Sequence, residues 1–286
     1  MLIDLTGEKP DSTYFRNRLA KRFRIDPAEK CKVILPELTL SSLPVLDFRF
    51  SNLFLEGLDL EWNEYGVGRY LGSKNNPYLF LYDVEEGAEE LVVHPDTLFV
   101  NYKTKGRRSL RRVEFSSKEC YVAYDAFAGC PDLEEVVFKN SEKVFLCSRA
   151  FSNAKKLAKV VFNENGEYRF YEKCFYGDES LREFTFPKKT YEVVGKNAFV
   201  DCGFKKIYLP ASVTQLEASF SEDVEVYYEG DCAKLITGSY EYESSGNYGW
   251  SFHRSAGSFD SSTEYRYADS PKYHSFVSYE EFKSLS

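Results

Sequence analysis

Side chains able to carry acid–base, nucleophilic or metal chemistry are present, but their spacing does not organise them for it. The three histidines, His94, His253 and His274, are far apart and share no metal-ligand spacing. Seven cysteines (31, 120, 130, 147, 174, 202 and 232) form an odd set without a CxxC pair. That pattern suits neither a zinc site nor a disulfide framework and reads as free, mostly buried thiols. Gly66, Gly68 and Gly72 fall as GxGxxxG, one residue off the dinucleotide fingerprint and outside a βαβ setting, so they read as a turn. No GxSxG elbow or Walker-type phosphate loop occurs. The pairs Glu85-Glu86 and Glu89-Glu90 are adjacent carboxylates on a solvated loop, not an acid facing a base. No catalytic, cofactor-binding or metal-binding residue is expected, no cofactor is implied, and the chain is expected not to be an enzyme.

What remains for the chain to do is bind, and its composition limits to what. The net charge is −8, which disfavours a nucleic-acid binder because phosphate neutralisation needs clustered Lys and Arg. No apolar run of about 18 residues exists, so no membrane span is expected. The opening MLIDLTGEKPDS lacks a positive segment followed by an apolar one, so no secretory signal is visible. A cytoplasmic location and removal of a leader both stay open. Aromatic content is high, with 24 Phe and 22 Tyr against one Met and two Trp. So many rigid rings predict a core of stacked aromatics.

The elements that would position a binding face come from an internal repeat. Ala126-Phe127, Ala150-Phe151, Cys174-Phe175 and Ala198-Phe199 recur at a constant spacing. Behind the first three follow Leu133, Leu157 and Leu181, then Val136, Val160 and Phe184, then Phe138, Phe162 and Phe186. The fourth unit drops one residue and continues with Phe204, Ile207 and Leu209; upstream, Leu110, Val113 and Phe115 keep the pattern. V-x-F alternates inward and outward as a short strand does. A second short apolar stretch, such as Val144-Phe145-Leu146, precedes each A-F dipeptide. Gly129, Gly177 and Gly203 follow it, where a tight turn needs them. One coil buries little by itself, so its stability is a nearest-neighbour property of a stack.

The pattern AF-x-GC-x-x-L-x-x-V, seen as Ala126-Phe127, Gly129-Cys130, Leu133 and Val136, resembles the BspA-like leucine-rich repeats. So does Lys206-Ile207-Tyr208-Leu209-Pro210 running into Ser212-Val213-Thr214. Tyr70-Leu71-Gly72 with Asn76-Pro77-Tyr78 resembles a segment that often precedes such arrays, and Val226-Tyr227-Tyr228-Glu229-Gly230 a step that often closes them. Two departures stand out: Thr104 sits where a unit should carry Phe, and Ala154 where it should carry Cys. The resemblance covers roughly residues 60–230 and implies a surface or secreted protein associated with adhesion and partner binding.

The expected fold is mainly β, a leucine-rich-repeat solenoid of about 24-residue coils. It divides into an N-terminal helical cap over 1–33, degenerate first coils and a connecting segment over 34–85, the array over 86–230, and a Ser/Tyr/Gly-rich cap or tail over 231–286. The cap helix would start at Asp11 and align Phe15, Leu19 and Phe23 on one face. Val45 to Phe50 alternate as strands of a degenerate coil. Between the inward residues of the main strand lie Glu114, Val137, Val161, Thr185 and Tyr208, which would form one continuous outward column. Beside them, Arg111-Arg112, Glu134-Glu135, Lys159, Arg182-Glu183 and Lys205-Lys206 would pair opposite charges on adjacent rungs. The expected function is a non-enzymatic scaffold whose exposed sheet recognises a protein or glycan. Two alternatives are a glycan-acting enzyme built from the aromatic C-terminal segment and nearby carboxylates, and a cytosolic protein–protein interaction module.

Overall fold

A computed structural model describes residues 2–4, 32–34, 61–100, 109–217, 219–237 and 271–285. Two strands stand apart near the N-terminus: β1 (Leu2–Asp4) pairs in parallel with β2 (Lys32–Ile34). The expected helix from Asp11 and the strands over residues 45–50 lie outside the described residues. Ahead of the array lies an antiparallel meander: β3 (Glu61–Tyr65), β4 (Gly68–Gly72) and β5 (Phe80–Val84). Its first reversal is made at Gly66, with φ of 55°, in the glycine-rich stretch read as a turn. The meander feeds directly into the parallel array, because β5 pairs in parallel with β7 (Phe99–Val100).

From there each coil contributes one strand to each of two sheets. The first sheet holds β6 (Glu90–Val93), β8 (Arg112–Phe115), β10 (Glu135–Phe138) and β12 (Lys159–Val161), all parallel. The same strand position continues as β15 (Lys206–Leu209), β17 (Glu225–Tyr228) and β19 (Lys272–His274). The second sheet runs from the meander through β9 (Glu119–Val122), β11 (Lys143–Leu146), β13 (Glu167–Phe170), β14 (Lys189–Val194), β16 (Gln215–Leu216) and β18 (Ile236–Thr237). Every step after β5 in that sheet is parallel, as a solenoid requires because each coil advances one strand along the same axis.

Register follows from the alternation of side chains. In β8 and β10 the V-x-F residues are buried, with Val113 opposite Val136 and Phe115 opposite Phe138. Phe115 and Phe138 stack at 4.5 Å between ring centroids, and Phe138 and Phe162 at 5.5 Å and 4°. At the corner between the sheets the A-F rings form the longest file. Phe127, Phe151, Phe175 and Phe199 are fully buried and stack in succession at 5.2, 5.3 and 5.4 Å. Phe220 extends the file at 5.7 Å.

The backbone at this corner climbs from rung to rung by its own hydrogen bonds. Phe127 N–H donates to Ala150 O, Phe151 N–H to Cys174 O, and Phe175 N–H to Ala198 O, at 2.7–2.9 Å. Two left-handed residues per coil bend the chain there. The first series is Asp125, Arg149, Lys173 and Asn197, and the second is Gly129, Asn153, Gly177 and Asp201, with φ between 54° and 76°. Asn and Asp tolerate this region better than other side chains, so they replace Gly in the second series. Gly203, expected to be the turn glycine of the fourth unit, has another role. A Cβ there would stand 2.3 Å from Glu179 O, so it permits close approach of neighbouring coils.

The cysteine column at the same corner is Cys130, Ala154, Asp178 and Cys202. Asp178 is fully buried; its Oδ1 accepts a hydrogen bond from Ala154 N–H at 2.8 Å. Burial pushes its carboxyl well above the ordinary range, and Oδ2 has no hydrogen-bond partner. All six described cysteines carry free thiols, four of them buried.

The C-terminal segment, expected to be an irregular cap or tail, contains regular structure in its described parts. Residues 272–274 add the last strand to the C-terminal three-stranded sheet β15–β17–β19, and a short helix, α1 (Tyr279–Ser284), follows. Tyr273 stands opposite Val226 and His274 opposite Tyr227, so the segment supplies a final rung from far along the chain. Periodicity gives no warning of it because residues 238–270 intervene without repeat character. Among the described residues no helix is long and apolar enough to cross a membrane.

Candidate partner-binding face

The outward positions of the first sheet are set by the same alternation that buries V-x-F. Val92 lies opposite Glu114, Glu114 opposite Val137, and Val137 opposite Val161. This places three of the five sequence-predicted residues side by side and adds Val92, which the sequence reading did not single out. Val92 and Val161 are 38% and 36% exposed, where a sheet face of purely solvating role would carry charge or Thr.

Three rungs of the expected charge ladder form alongside. Arg112 bridges Glu135 at 2.9 Å and Glu114 at 2.8 Å, and Lys159 reaches Glu135 at 2.6 Å. Lys139 closes on Glu114 from the other side at 3.4 Å. Hydrogen bonding from Arg112, together with Lys139, holds the Glu114 carboxyl below its ordinary range. The Glu135 carboxyl is held low by Lys159 first and Arg112 second. These charges are spent on one another, so the column offers a neighbour apolar surface within a self-neutralised frame.

Thr185 and Tyr208 do not extend that ladder as one hydrogen-bonded sheet. The four-stranded part ends at β12, and Thr185 joins Tyr208 by an isolated bridge into the C-terminal three-stranded part. Thr185 is exposed. Tyr208 is not: it is 6% exposed because α1 lies over it. Tyr279 and Phe282 approach its ring at 5.2 and 5.8 Å, and Phe282 also lies 5.4 Å from Tyr227. Tyr227, in turn, stacks on His274 at 4.4 Å and 7°. Desolvation pushes the Tyr208 hydroxyl up to about 12. The sequence reading thus missed Tyr227, His274, Tyr279 and Phe282; the first was visible as the repeat's closing step, the others were hidden in the tail.

Groups with chemical potential elsewhere are engaged in structure. His94 stacks on Tyr78 at 3.8 Å, and its Nδ1 accepts from Asp96 N–H at 3.1 Å. Glu85, Glu86, Glu89 and Glu90 are all exposed. Among the described residues no group of His, Cys, Asp and Glu is placed to hold a metal ion.

Parallel coils with one strand in each sheet, a continuous ring file and an outward apolar column define a leucine-rich-repeat solenoid. Residues 101–224 match the BspA type leucine rich repeat region in six copies. Among curated proteins nothing matches. Of solved structures, the chain is similar to a leucine rich cell surface protein from Faecalibacterium prausnitzii, at 13% identity over 68% of this chain and 62% of that one, with a TM-score of 0.43. It is also similar to the pneumococcal vaccine antigen PcpA, at 16% identity over 63% and 40% of the two chains, with a TM-score of 0.38. A leucine-rich repeat protein from Bacteroides ovatus matches at 16% identity over 63% and 66%, with a TM-score of 0.31. This chain spans less than two thirds of the length of the first two.

Proposed function

We propose that this protein is a non-enzymatic binding scaffold whose first sheet recognises a protein partner through its outward face. The observation that carries the reading is the outward pair Val137 and Val161, neighbours in register and framed by charges that already satisfy one another. A partner covering these two side chains and Val92 gains apolar burial, at about 25 cal/mol per Å². It need not strip solvent from an unpaired charge, which is the costly part of docking on a charged sheet. Glu114, already paired with Arg112 and Lys139, lies between Val92 and Val137, Thr185 would border the patch, and Tyr208 is reachable only from the edge of α1. A protein partner suits this patch better than a glycan, because the outward rings at Tyr208 are already covered. The match of the repeats to the BspA type leucine rich repeat region supports an adhesion-like role for that face.

The test is quantitative capture by the full chain and by a Val137→Asp/Val161→Asp variant. A partner retained by the parent and lost at least tenfold by the variant, with unchanged circular dichroism, supports the face. Equal capture by both moves binding elsewhere on the molecule.

A further inference from the structure

The C-terminal end of the outward face is occupied by a piece of the chain itself, and that piece is built as a ligand. Helix α1 is six residues long, and none of its residues is buried. A helix so short has no stability of its own. It is held by the Ser278–Glu281 capping box, by Tyr279 and Phe282 against Tyr208 and Tyr227, and by Lys206 Nζ donating to Leu285 O at 3.1 Å. Strand β19 adds three paired residues, and Phe276 and Val277 N–H donate to Gly230 O and Tyr228 O at 2.9 and 3.0 Å. Between them Phe276, 71% exposed, adopts a left-handed φ of 57°, a strained conformation for a bulky side chain.

The seat is built by the array, and the segment closes it. Tyr208 and Tyr227 are held by paired strands, and the edge of β17 is ready to accept a strand. Residues 238–270 separate β18 from the segment. Fully extended they reach about 110 Å, so covalent connection does not restrict the segment to its own array.

We propose that this end of the face is an interaction site for the 271–285 segment of a second copy of the chain. In the exchanged pair, each copy's β19 adds to the other's β17, and each copy's Tyr279 and Phe282 seat on the other's Tyr208 and Tyr227. The interface is isologous and closes at two copies. It uses residues separate from Val137 and Val161, so it stands or falls independently of the function proposed above.

The experiment uses full chains and a short cysteine-specific crosslinker. A Lys206→Cys/Leu285→Cys chain calibrates the seat, since both positions on one molecule must crosslink. Lys206→Cys and Leu285→Cys chains are then mixed, so that any 206–285 product identified by peptide mass spectrometry joins two molecules. A product that rises with protein concentration, and falls at least tenfold when the Leu285→Cys chain also carries Tyr279→Ser and Phe282→Ser, supports exchange. An efficient calibration crosslink with no mixed product at any concentration would overturn it. Failure of the calibration chain to crosslink would overturn the seat itself.

Discussion

Tyr273 stands opposite Val226 across two parallel strands although residues 238–270 separate β19 from the rest of the array. The ring takes the inward position that Val113, Val136 and Ile207 hold in earlier rungs, and packs against the end of the core. Burial pushes its hydroxyl far up. A solenoid end otherwise exposes core side chains and unpaired strand edges, and this rung covers the edge of β17 in the C-terminal three-stranded sheet.

Tyr273→Ala should therefore cost about 2–3 kcal/mol, below the range for a fully buried aromatic because the ring is only partly enclosed. The loss should be local. Hydrogen exchange is expected to quicken strongly over Glu225–Tyr228 and little over Glu135–Phe138. Uniform quickening along the array would mean that the rung is not a cap.

Asp178 gives a pH-dependent prediction. Its folded carboxyl titrates above its unfolded value because burial disfavours the charge. The native state therefore holds the proton more tightly. The resulting stabilisation is full below the ordinary aspartate range and is lost as pH rises toward the folded value. Asp178→Asn keeps an oxygen for Ala154 N–H and removes the charge. It should raise stability by about 1–3 kcal/mol at pH 8 and by much less at pH 4. Thermal unfolding of both chains across that interval checks the sign; equal differences at the two pH values would refute the assignment.

The coil and its core were legible because they rest on side-chain periodicity: the A-F files, the V-x-F alternation, and the Arg112–Glu135–Lys159 ladder all appear where spacing places them. What failed depended on contacts that spacing does not encode. Tyr208 occupies the outward register as expected, yet α1 covers it. The turn residue of the fourth unit is Asp201, not Gly203, because Asp also tolerates a left-handed backbone.

The stacked file itself is tested most directly by a double-mutant cycle on unfolding free energy. Phe127 and Phe151 stack at 5.2 Å, whereas Phe127 and Phe199 stand three rungs apart. Leucine substitutions at Phe127 and Phe151 should show coupling of about 0.5–1.5 kcal/mol, and the Phe127–Phe199 pair should be additive within about 0.5 kcal/mol. Additivity at the adjacent pair, or equal coupling at the distant one, would contradict a rod in which each winding leans only on its neighbours.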